Sequence, residues 1–311
     1  MRAEDCAELL ARQDKLLLVT HRNPDGDTMG SAAALCSALR RSGKTAYLWP
    51  NPQVIAKLLP YVEPYYAPEG YMPETVISVD VATEKMFAGG FDGPVDLCID
   101  HHPSNSHYAA AECIDPARAA CGQIVLRVIR ALCGGLTKEE ADLLYIAITT
   151  DCGCFQYANT DSSALRDAAE LLDAGADNAR LNMLFFRRVS AARIKLEGLI
   201  YQNMSFYKDG KVAVAIVTDE MLSAAGATED DCDDLAGLAG RAECALVSIT
   251  IRDWPGGASK VSVRSGESFD SCALCARFDG GGHRMAAGCN LPVPPLQARD
   301  LLLQAIDEVW A

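Results

Sequence analysis

Residues 18–31 read LVTHRNPDGDTMGS, and this stretch limits the fold more than any other part of the chain. An apolar run typical of a buried strand ends at His21, and two aspartates, Asp25 and Asp27, follow in a turn that contains Asn, Pro and Gly. Residues 27–41 then carry the apolar spacing of a helix. A strand, a polar turn and a helix in this order predict an α/β domain.

The rest of the first half repeats this alternation, which predicts an α/β domain with a mostly parallel sheet. The pattern changes after residue 204, where we expect a smaller α+β domain. We therefore divide the chain into residues 1–186, a helical linker at 187–204, and residues 205–311. The predicted strands are 16–20, 45–49, 75–79, 95–99, 212–217, 245–251, 259–263 and 290–293. The predicted helices are 27–41, 121–133, 138–149, 161–174, 230–239 and 296–309.

The chain carries a formal net charge of -14, which argues against a grip on long nucleic acid, since that needs a basic surface. The N-terminus lacks the apolar stretch of a signal peptide, and no apolar run is long enough to span a bilayer. We therefore expect a cytoplasmic protein without a membrane partner, in which the 13 cysteines form no disulfide framework. The spacing of Cys272 and Cys275 predicts a buried helix face rather than a metal or redox site.

Four apolar runs end in residue types that bind metals. They end at His21, at Asp80, at Asp100-His101-His102 and at Asp151. Taken singly, each aspartate is typical of a turn or a helix cap. However, three of the five histidines lie in these motifs, and ligands of open parallel sheets bind outside the carboxyl ends of the strands. We therefore expect these side chains to converge in one crevice.

Carboxylates gathered in one pocket repel one another, and two divalent cations would cancel their charge. Two such ions, about 3.5–4 Å apart, stabilise both the attacking and the leaving oxygen of a displacement at phosphorus. A carboxylate that bridges both ions is expected, and Asp80, alone at the end of its strand, is our candidate. Imidazole and carboxylate ligands together favour Mn²⁺, with Fe, Co or Zn as alternatives, over an all-oxygen Mg²⁺ site.

The motifs HRNPDGD (21–27), VISVD (76–80), DHH (100–102) and TTDCG (149–153) resemble, in order and spacing, those of the DHH phosphoesterases. The resemblance covers residues 1 to about 185 and implies a catalytic domain that binds two metal ions. It implies that one ion is held by His21, Asp25 and Asp80, and the other by Asp27, Asp80, His101 and Asp151. It also implies that His102 faces the substrate phosphate as a donor or acid, while Asp100 orients the histidines.

The second half strengthens this resemblance. SVRS (262–265) and FDGGGHRMAAG (278–288) are similar to the DHH-associated domain, whose glycine-rich loop holds the phosphate or nucleotide of the substrate. Glycine lets backbone N–H groups approach an anion closely, and arginine and histidine add charged hydrogen bonds. Without these neighbours, the glycines alone would predict a flexible turn. The implied substrate-binding residues are Arg264, Ser265, Gly280, Gly281, Gly282, His283 and Arg284.

Two positions depart from the family pattern. Gln156 stands where relatives often have an arginine, and Asp279 stands where they often have a further glycine. The first change removes a positive charge near the substrate path, and the second adds a negative one. Both bear on which substrate is bound more than on the chemistry.

The resemblance implies a Mn²⁺-dependent phosphoesterase of the nanoRNase and 3′-phosphoadenosine-5′-phosphate phosphatase branch. Its substrates would be short oligonucleotides, linear dinucleotides such as pApA, or nucleotide phosphates. A cyclic di-AMP phosphodiesterase is the nearest alternative, and inorganic pyrophosphatase and RecJ-type exonuclease are more distant. A non-catalytic nucleotide-binding regulator would be expected to lack a metal ligand, whereas every expected ligand position is occupied here. The expected partners are a short nucleotide ligand, no long double-stranded nucleic acid, and a second copy of the chain in a homodimer.

Overall fold

The computed structural model describes residues 1–232 and 235–310, and the chain divides into two compact units, residues 1–188 and residues 189–311. The helices of the described residues are α1 Ala3–Ala11, α2 Gly26–Arg41, α3 Leu59–Val62, α4 Cys121–Cys133, α5 Lys138–Asp151, α6 Ser162–Asp173, α7 Asn178–Asn182, α8 Ala191–Asn203, α9 Asp219–Ala225, α10 Ser271–Ala276 and α11 Pro295–Trp310. The strands are β1 Leu16–Val19, β2 Ala46–Leu48, β3 Thr75–Val79, β4 Leu97–Asp100, β5 Ala111–Ile114, β6 Ser205–Tyr207, β7 Val212–Val217, β8 Val247–Trp254, β9 Ala258–Ser265, β10 Gly281–His283 and β11 Ala286–Leu291.

The sheet of the first unit is parallel throughout, with the strand order β2-β1-β3-β4-β5. Its central strands are mostly apolar, and β1, with the sequence LLLV, is buried at every position. Continuous apolar strands are expected where helices cover both faces of a parallel sheet. The strand order reverses between β1 and β3, which is the position where open α/β sheets bind ligands. This arrangement confirms the α/β fold predicted from the sequence.

Helices α2 and α5 pack against each other in opposite directions, and the contact is unusually close. A side chain on Gly30 would place its Cβ 2.5 Å from the carbonyl oxygen of Leu143, so only glycine allows this approach. At the other end of the pair, the guanidinium of Arg41 donates two hydrogen bonds to the buried carboxylate of Glu140, at 3.0 and 2.9 Å. Together the two contacts fix the position of α5 against α2.

The second unit contains a mixed sheet with the strand order β10-β11-β9-β8-β7-β6 in the part of the chain that is described. β7 and β8 are parallel, and the other neighbours are antiparallel. The apolar residues of β7, β8 and β9 pack against α10 and α11. Val214 of β7, Ile249 of β8 and Leu302 of α11 are buried in this core. This is the smaller α+β domain predicted from the second half of the sequence.

The predicted elements differ from the structure in several places, and short elements such as α3, α7, α9, β6 and β10 were not predicted. The strand expected at 290–293 lies earlier, at Ala286–Leu291. It ends before Pro292, because proline has no N–H group to extend a strand. Its start was missed because the first residues of the strand are small and give no strand signal. Helix α1 and the edge strand β5 were not predicted. The helix expected at 230–239 is wrong for the described residues, which form short 3₁₀ turns, while 233 and 234 lie outside them. Closely spaced aspartates there repel one another along a helix.

The helix of the segment expected to link the domains, residues 187–204, starts later than predicted. α8 starts at Ala191 and belongs to the second unit, where Leu196 and Ile200 are buried in the core. The domain boundaries at 186 and 204 stay predictions. Within the described residues, no helix is both long and apolar enough to cross a membrane.

The close packing of α2 on α5 yields a test of stability. We expect Gly30→Ala to lower the free energy of unfolding by about 1–3 kcal/mol, the usual cost of overpacking, because the helices must separate. Gly198→Ala in α8 is the control, since Gly198 has open space around it and alanine favours a helix by about 1 kcal/mol. Urea titration followed by circular dichroism measures both, and an unchanged midpoint for Gly30→Ala would contradict the packing.

Candidate active site

Three strands of the first sheet lead into the residues that the sequence singled out. His21 and Asp80 follow β1 and β3 closely, and β4 ends in Asp100, with His101 and His102 next in the chain. Because the strands are parallel, their carboxyl ends lie at one edge of the sheet, where the strand order reverses. The structure thus brings these side chains together.

The fourth motif reaches the same place from a helix. Asp151 is the last residue of α5, and the antiparallel packing of α5 on α2 carries it to the start of α2. Nε2 of His101 lies 3.7 Å from Oδ2 of Asp151 and 3.8 Å from Oδ2 of Asp27. A Cβ on Gly26 would lie 2.8 Å from the Cβ of Thr150, so glycine is needed here for helix approach rather than for a bend between the aspartates.

The two aspartates of the first motif have different roles in the backbone. Asp25 caps α2, because its Oδ1 accepts a hydrogen bond of 3.0 Å from the N–H of Thr28. Asp27, only 1% exposed, instead accepts hydrogen bonds from the first N–H groups of α4, at 2.7 Å from Cys121 and 2.9 Å from Gly122. The partial positive charge of a helix N-terminus stabilises a carboxylate at this position. An aspartate at the start of a helix often caps that helix, but Asp25 has this role in α2 and Asp27 does not.

Three groups of side chains within the described residues can each hold a metal ion, since their ligand atoms lie within 4.8 Å of one another. The groups are His21 with Asp25 and Asp80, Asp27 with His101 and Asp151, and Asp80 with His101 and His102. All six residues that the sequence indicated as metal ligands occur in these groups. Their assignment to particular ions stays a prediction.

Asp80 stands between the groups and presents one oxygen to each side. Its Oδ2 lies 3.8 Å from Nε2 of His21, and its Oδ1 lies 3.5 Å from Nε2 of His101. The hydroxyl of Thr28 donates a 2.5 Å hydrogen bond to Oδ2 and also contacts His21. A carboxylate with its two oxygens directed to two sets of donors has the geometry required to bridge two cations.

Within the described residues, Asp27, Asp80 and Asp151 form ion pairs with histidines and with no lysine or arginine. Burial, and then the neighbouring carboxylates, raise the pKa of Asp27 and Asp80 well above their usual range, and raise the pKa of Asp151 to about 7. Oδ1 of Asp80 and Nδ1 of His21 are buried without a hydrogen-bond partner among the described residues. A buried polar atom without a partner is costly, so both the charge and Oδ1 of Asp80 fit a site for cations.

The histidines fall into two classes. Burial lowers the pKa of His21 and His101, which favours the neutral imidazole that ligates metals. Nδ1 of His101 lies 3.2 Å from the carbonyl oxygen of Arg118, and this carbonyl leaves Nε2 to face the carboxylates. The hydrogen bond to Asp100 raises the pKa of His102, which favours a protonated ring.

Asp100 organises the loop that follows β4. Its Oδ1 accepts hydrogen bonds from the N–H groups of His101 and His102, at 2.8 and 3.3 Å, and lies 2.7 Å from Nδ1 of His102. Its Oδ2 accepts a 2.5 Å hydrogen bond from the amide of Asn105. Burial would raise the pKa of Asp100, but these hydrogen bonds lower it below its usual value. Asp100 therefore remains charged and holds the ring of His102 and the backbone of both histidines in place.

Sequence reasoning missed several residues that support the site. Thr28 touches Asp80, Asn105 touches Asp100, and the carbonyl of Arg118 contacts His101. Thr28 and Asn105 each lie within three residues of a recognised motif, and this proximity was the available signal. The Arg118 contact goes through the backbone, so no residue type in the sequence could have indicated it.

The glycine-rich loop of the second unit lies on the edge strand β10, and its three glycines have different surroundings. A Cβ on Gly280 would lie 2.5 Å from the Cβ of Cys289, and one on Gly282 would lie 2.6 Å from the carbonyl of Ala286. Both glycines are therefore needed for packing of the hairpin. Gly281 has open space within 4 Å, so it is the position where a ligand can approach the backbone.

The predicted polar residues around this loop are brought together only in part. His283 pairs with Ala286, which pairs with Arg264 on β9, so the side chains of His283 and Arg264 emerge on one face of the sheet. The hydroxyl of Ser265 donates to the carbonyl of Phe269 within its own turn, and the guanidinium of Arg284 donates to the carbonyl of Glu267. Contacts of Ser265 and Arg284 with a substrate stay predictions.

Comparison with known proteins agrees with both units. Residues 15–148 match the model of the DHH family N-terminal domain, and residues 209–311 match the model of the DHHA1 domain. The chain is 36% identical to the bifunctional oligoribonuclease and PAP phosphatase NrnA of Thermus thermophilus, over 97% of this chain and 92% of the relative. It is 26% identical to the Bacillus subtilis protein of the same name, over 89% of this chain and 90% of the relative.

A solved structure shows the same fold at lower identity. The exopolyphosphatase-related protein from Bacteroides fragilis superposes with a TM-score of 0.88 at 23% identity, over 98% of this chain and 96% of that protein. The likeness extends over both units of the described chain. With the family matches and the Thermus relative, it shows that this chain belongs to the DHH family of phosphoesterases and carries a DHHA1 domain in its second unit.

Proposed function

We propose that this chain is a phosphoesterase that uses two Mn²⁺ ions to hydrolyse short oligonucleotides, linear dinucleotides such as pApA, and 3′-phosphoadenosine-5′-phosphate. One observation carries the proposal: Oδ2 of Asp80 faces His21 and Oδ1 faces His101, so a single carboxylate reaches both sets of donors. The Thermus and Bacillus relatives, each an oligoribonuclease and PAP phosphatase, support the oligonucleotide and 3′-phosphoadenosine-5′-phosphate substrates.

The donor set supports two divalent cations. In this proposal His21, Asp25 and Asp80 hold one ion, and Asp27, Asp80, His101 and Asp151 hold the other. The mixture of imidazole and carboxylate groups favours Mn²⁺ over a site made only of oxygen ligands. When bound, the ions supply activation of water and stabilisation of the charge that develops on the phosphate oxygens.

The loop after β4 supplies the group that faces the substrate. Asp100 holds Nδ1 of His102 at 2.7 Å, which leaves Nε2 of His102 to donate a hydrogen bond or a proton to the substrate phosphate. His102 is half-exposed, whereas Asp100 is fully buried and acts only through His102. We therefore assign His102 as a catalytic residue and Asp100 as a positioning residue.

The second unit offers a separate site for an anion. We assign recognition of the phosphate or nucleotide to Arg264, His283 and the glycine loop, because Arg264 and His283 emerge on one face of the sheet. Backbone N–H groups beside glycines can approach a phosphate without obstruction from side chains. Asp279, next to this loop, has a φ of +56° that glycine usually adopts, so the departure from the family pattern preserves the turn while adding a charge.

Metal removal and a substrate panel test the proposal. The full-length chain treated with EDTA is expected to be inactive, and added Mn²⁺ is expected to restore release of AMP from pApA and of phosphate from 3′-phosphoadenosine-5′-phosphate. Cyclic di-AMP and a long RNA duplex are the comparison substrates. Hydrolysis of cyclic di-AMP alone would contradict the substrate assignment, and nucleotide binding without any turnover would favour a non-catalytic regulator. Light scattering of the same preparation tests the homodimer.

Substitution of the bridging carboxylate separates metal binding from folding. Asp80→Asn is expected to lower activity by about 100-fold or more. Loss of a residue that only hydrogen-bonds to a metal ligand already costs about 10–100-fold, and Asp80 is a proposed ligand itself. In EDTA the variant is expected to unfold no earlier than the wild type, because a neutral amide is easier to bury than a charge. With Mn²⁺ at about 100 times its dissociation constant, the wild type gains about 2.7 kcal/mol and the variant less.

The control for this substitution is Asp96→Asn. Asp96 accepts a 2.8 Å hydrogen bond from the N–H of Val76 in the same sheet, but it is exposed and lies beside the beginning of β3 rather than its end. It should retain activity and its Mn²⁺-dependent gain in stability. Full activity of Asp80→Asn would refute the bridging role.

The glycine loop yields a second substitution. Gly281→Ala is expected to raise KM by about 10-fold, which corresponds to about 1.4 kcal/mol of lost binding free energy. The new methyl group would occupy open space where the ligand approaches, so the unfolding midpoint should change little. Gly198→Ala, also in open space in the same unit, should leave KM unchanged. An unchanged KM for Gly281→Ala would remove this loop from the proposed site.

A further inference from the structure

Asp80 adopts a backbone conformation that side-chain-bearing residues rarely use. Its φ is +61°, in the left-handed region, and the residue is only 2% exposed. A buried residue in this region persists only where the surrounding structure holds it, and such residues cluster at functional sites. The direction of the Asp80 carboxylate depends on this conformation, so the contacts that hold the following peptide groups determine where its oxygens point.

Those contacts come from residues 105–108, which continue the loop that carries His101 and His102. The carbonyl of Val81 accepts a 2.8 Å hydrogen bond from the hydroxyl of Tyr108 and a 3.3 Å hydrogen bond from the amide of Asn105. The next carbonyl, that of Ala82, accepts a 2.9 Å hydrogen bond from the N–H of Ser106. The chain after Asp80 is therefore fastened to one short segment.

The proton of the Tyr108 hydroxyl can be assigned from its partners. The hydroxyl lies 2.8 Å from the carbonyl of Val81 and 2.8 Å from Oγ of Ser78. A hydroxyl has one proton, and a carbonyl can only accept, so Tyr108 donates to Val81 while the buried hydroxyl of Ser78 donates to Tyr108. The ring is also held in place, because Phe87 packs edge-on against it at 5.6 Å between centroids.

We propose that Tyr108 is a positioning residue of the metal site, which holds the Val81 carbonyl and so keeps the two oxygens of Asp80 directed toward the two donor groups. This inference rests on the proposed function, which gives Asp80 its bridging role. Tyr108 acts through the backbone, since its hydroxyl donates to the carbonyl of Val81. Asn105 helps to hold the same carbonyl, but it also donates to Asp100, so its loss would disturb His102 as well.

Tyr108→Phe isolates the hydroxyl, because it keeps the ring that packs on Phe87. Mn²⁺ binding is measured by calorimetry and by the electron paramagnetic resonance of the bound ions, independently of turnover. We expect both ions to bind about 10-fold more weakly, because Asp80 is shared between them. This is the lower end of the usual effect of losing a residue that orients a metal ligand. We expect kcat to fall by about 10-fold with KM nearly unchanged, because the substrate-binding groups are untouched.

Tyr71→Phe is the matched control. The Tyr71 hydroxyl also donates to a carbonyl of the same sheet, that of Leu16 at 3.4 Å, but at the beginning of β1 rather than beyond the end of a strand. Loss of this hydroxyl should leave Mn²⁺ affinity unchanged. Ser78→Ala provides a second variant if Tyr108→Phe does not fold, since it frees the Tyr108 hydroxyl and should weaken Mn²⁺ binding to a smaller extent.

The outcomes separate this inference from the function on which it rests. Equal Mn²⁺ affinity of the wild type, Tyr108→Phe and Ser78→Ala would overturn the role of Tyr108 and leave the proposed function standing. Equal weakening in Tyr108→Phe and Tyr71→Phe would also overturn it, because a general loss of sheet stability would then explain the effect. A wild type that binds no Mn²⁺ would overturn both.

Discussion

The mutual repulsion of Asp27, Asp80 and Asp151 is the interaction on which the rest of the site depends. Each of the three pKa values is raised by burial first and by a neighbouring carboxylate second, so the protein has gathered like charges in a place where water does not screen them. The chain offsets this charge only in part. Two N–H groups at the start of α4 reach Asp27, and the Thr28 hydroxyl reaches Asp80. The remaining charge is what cations would neutralise, and this incomplete compensation is the physical reason why the site suits metal chemistry better than a purely structural role.

Holding repelling groups together requires a rigid framework, and the first unit supplies it by backbone packing. Parallel strands bring His21, Asp80 and the histidines of the third motif to one edge, while α5 delivers Asp151 from the other side of α2. The delivery depends on glycines at the helix contact, because a methyl group at Gly30 would separate α5 from α2. A separation of this kind would change the distance between Asp151 and Asp27 directly. Packing of residues that bind no ligand themselves therefore sets the geometry of the site.

The grouping of His21, Asp80, His101, His102 and Asp151 could be predicted from the sequence, because each lies at or just after the end of an apolar run and parallel topology makes such ends meet. Their partners could not be predicted in the same way. Asp27 reaches the N-terminus of α4, almost a hundred positions away, and a pattern within its own turn suggested a local cap instead. Likewise, the sequence places Gly26 in a turn but does not show that a side chain there would clash with Thr150. The same limit applies to secondary structure: small residues in β11 and a short, half-buried β5 lack the periodicity from which strands are inferred.

The charge of the whole chain is consistent with the size of the proposed substrate. A long nucleic acid presents many phosphates along its length, and binding it requires a correspondingly extended set of cations, which a chain of net charge -14 does not provide. A dinucleotide presents only a few phosphates. The cations proposed at Asp80 would neutralise them locally. Elsewhere the acidic surface would repel longer polyanions, so the same charge distribution that permits a short substrate also discriminates against a long one.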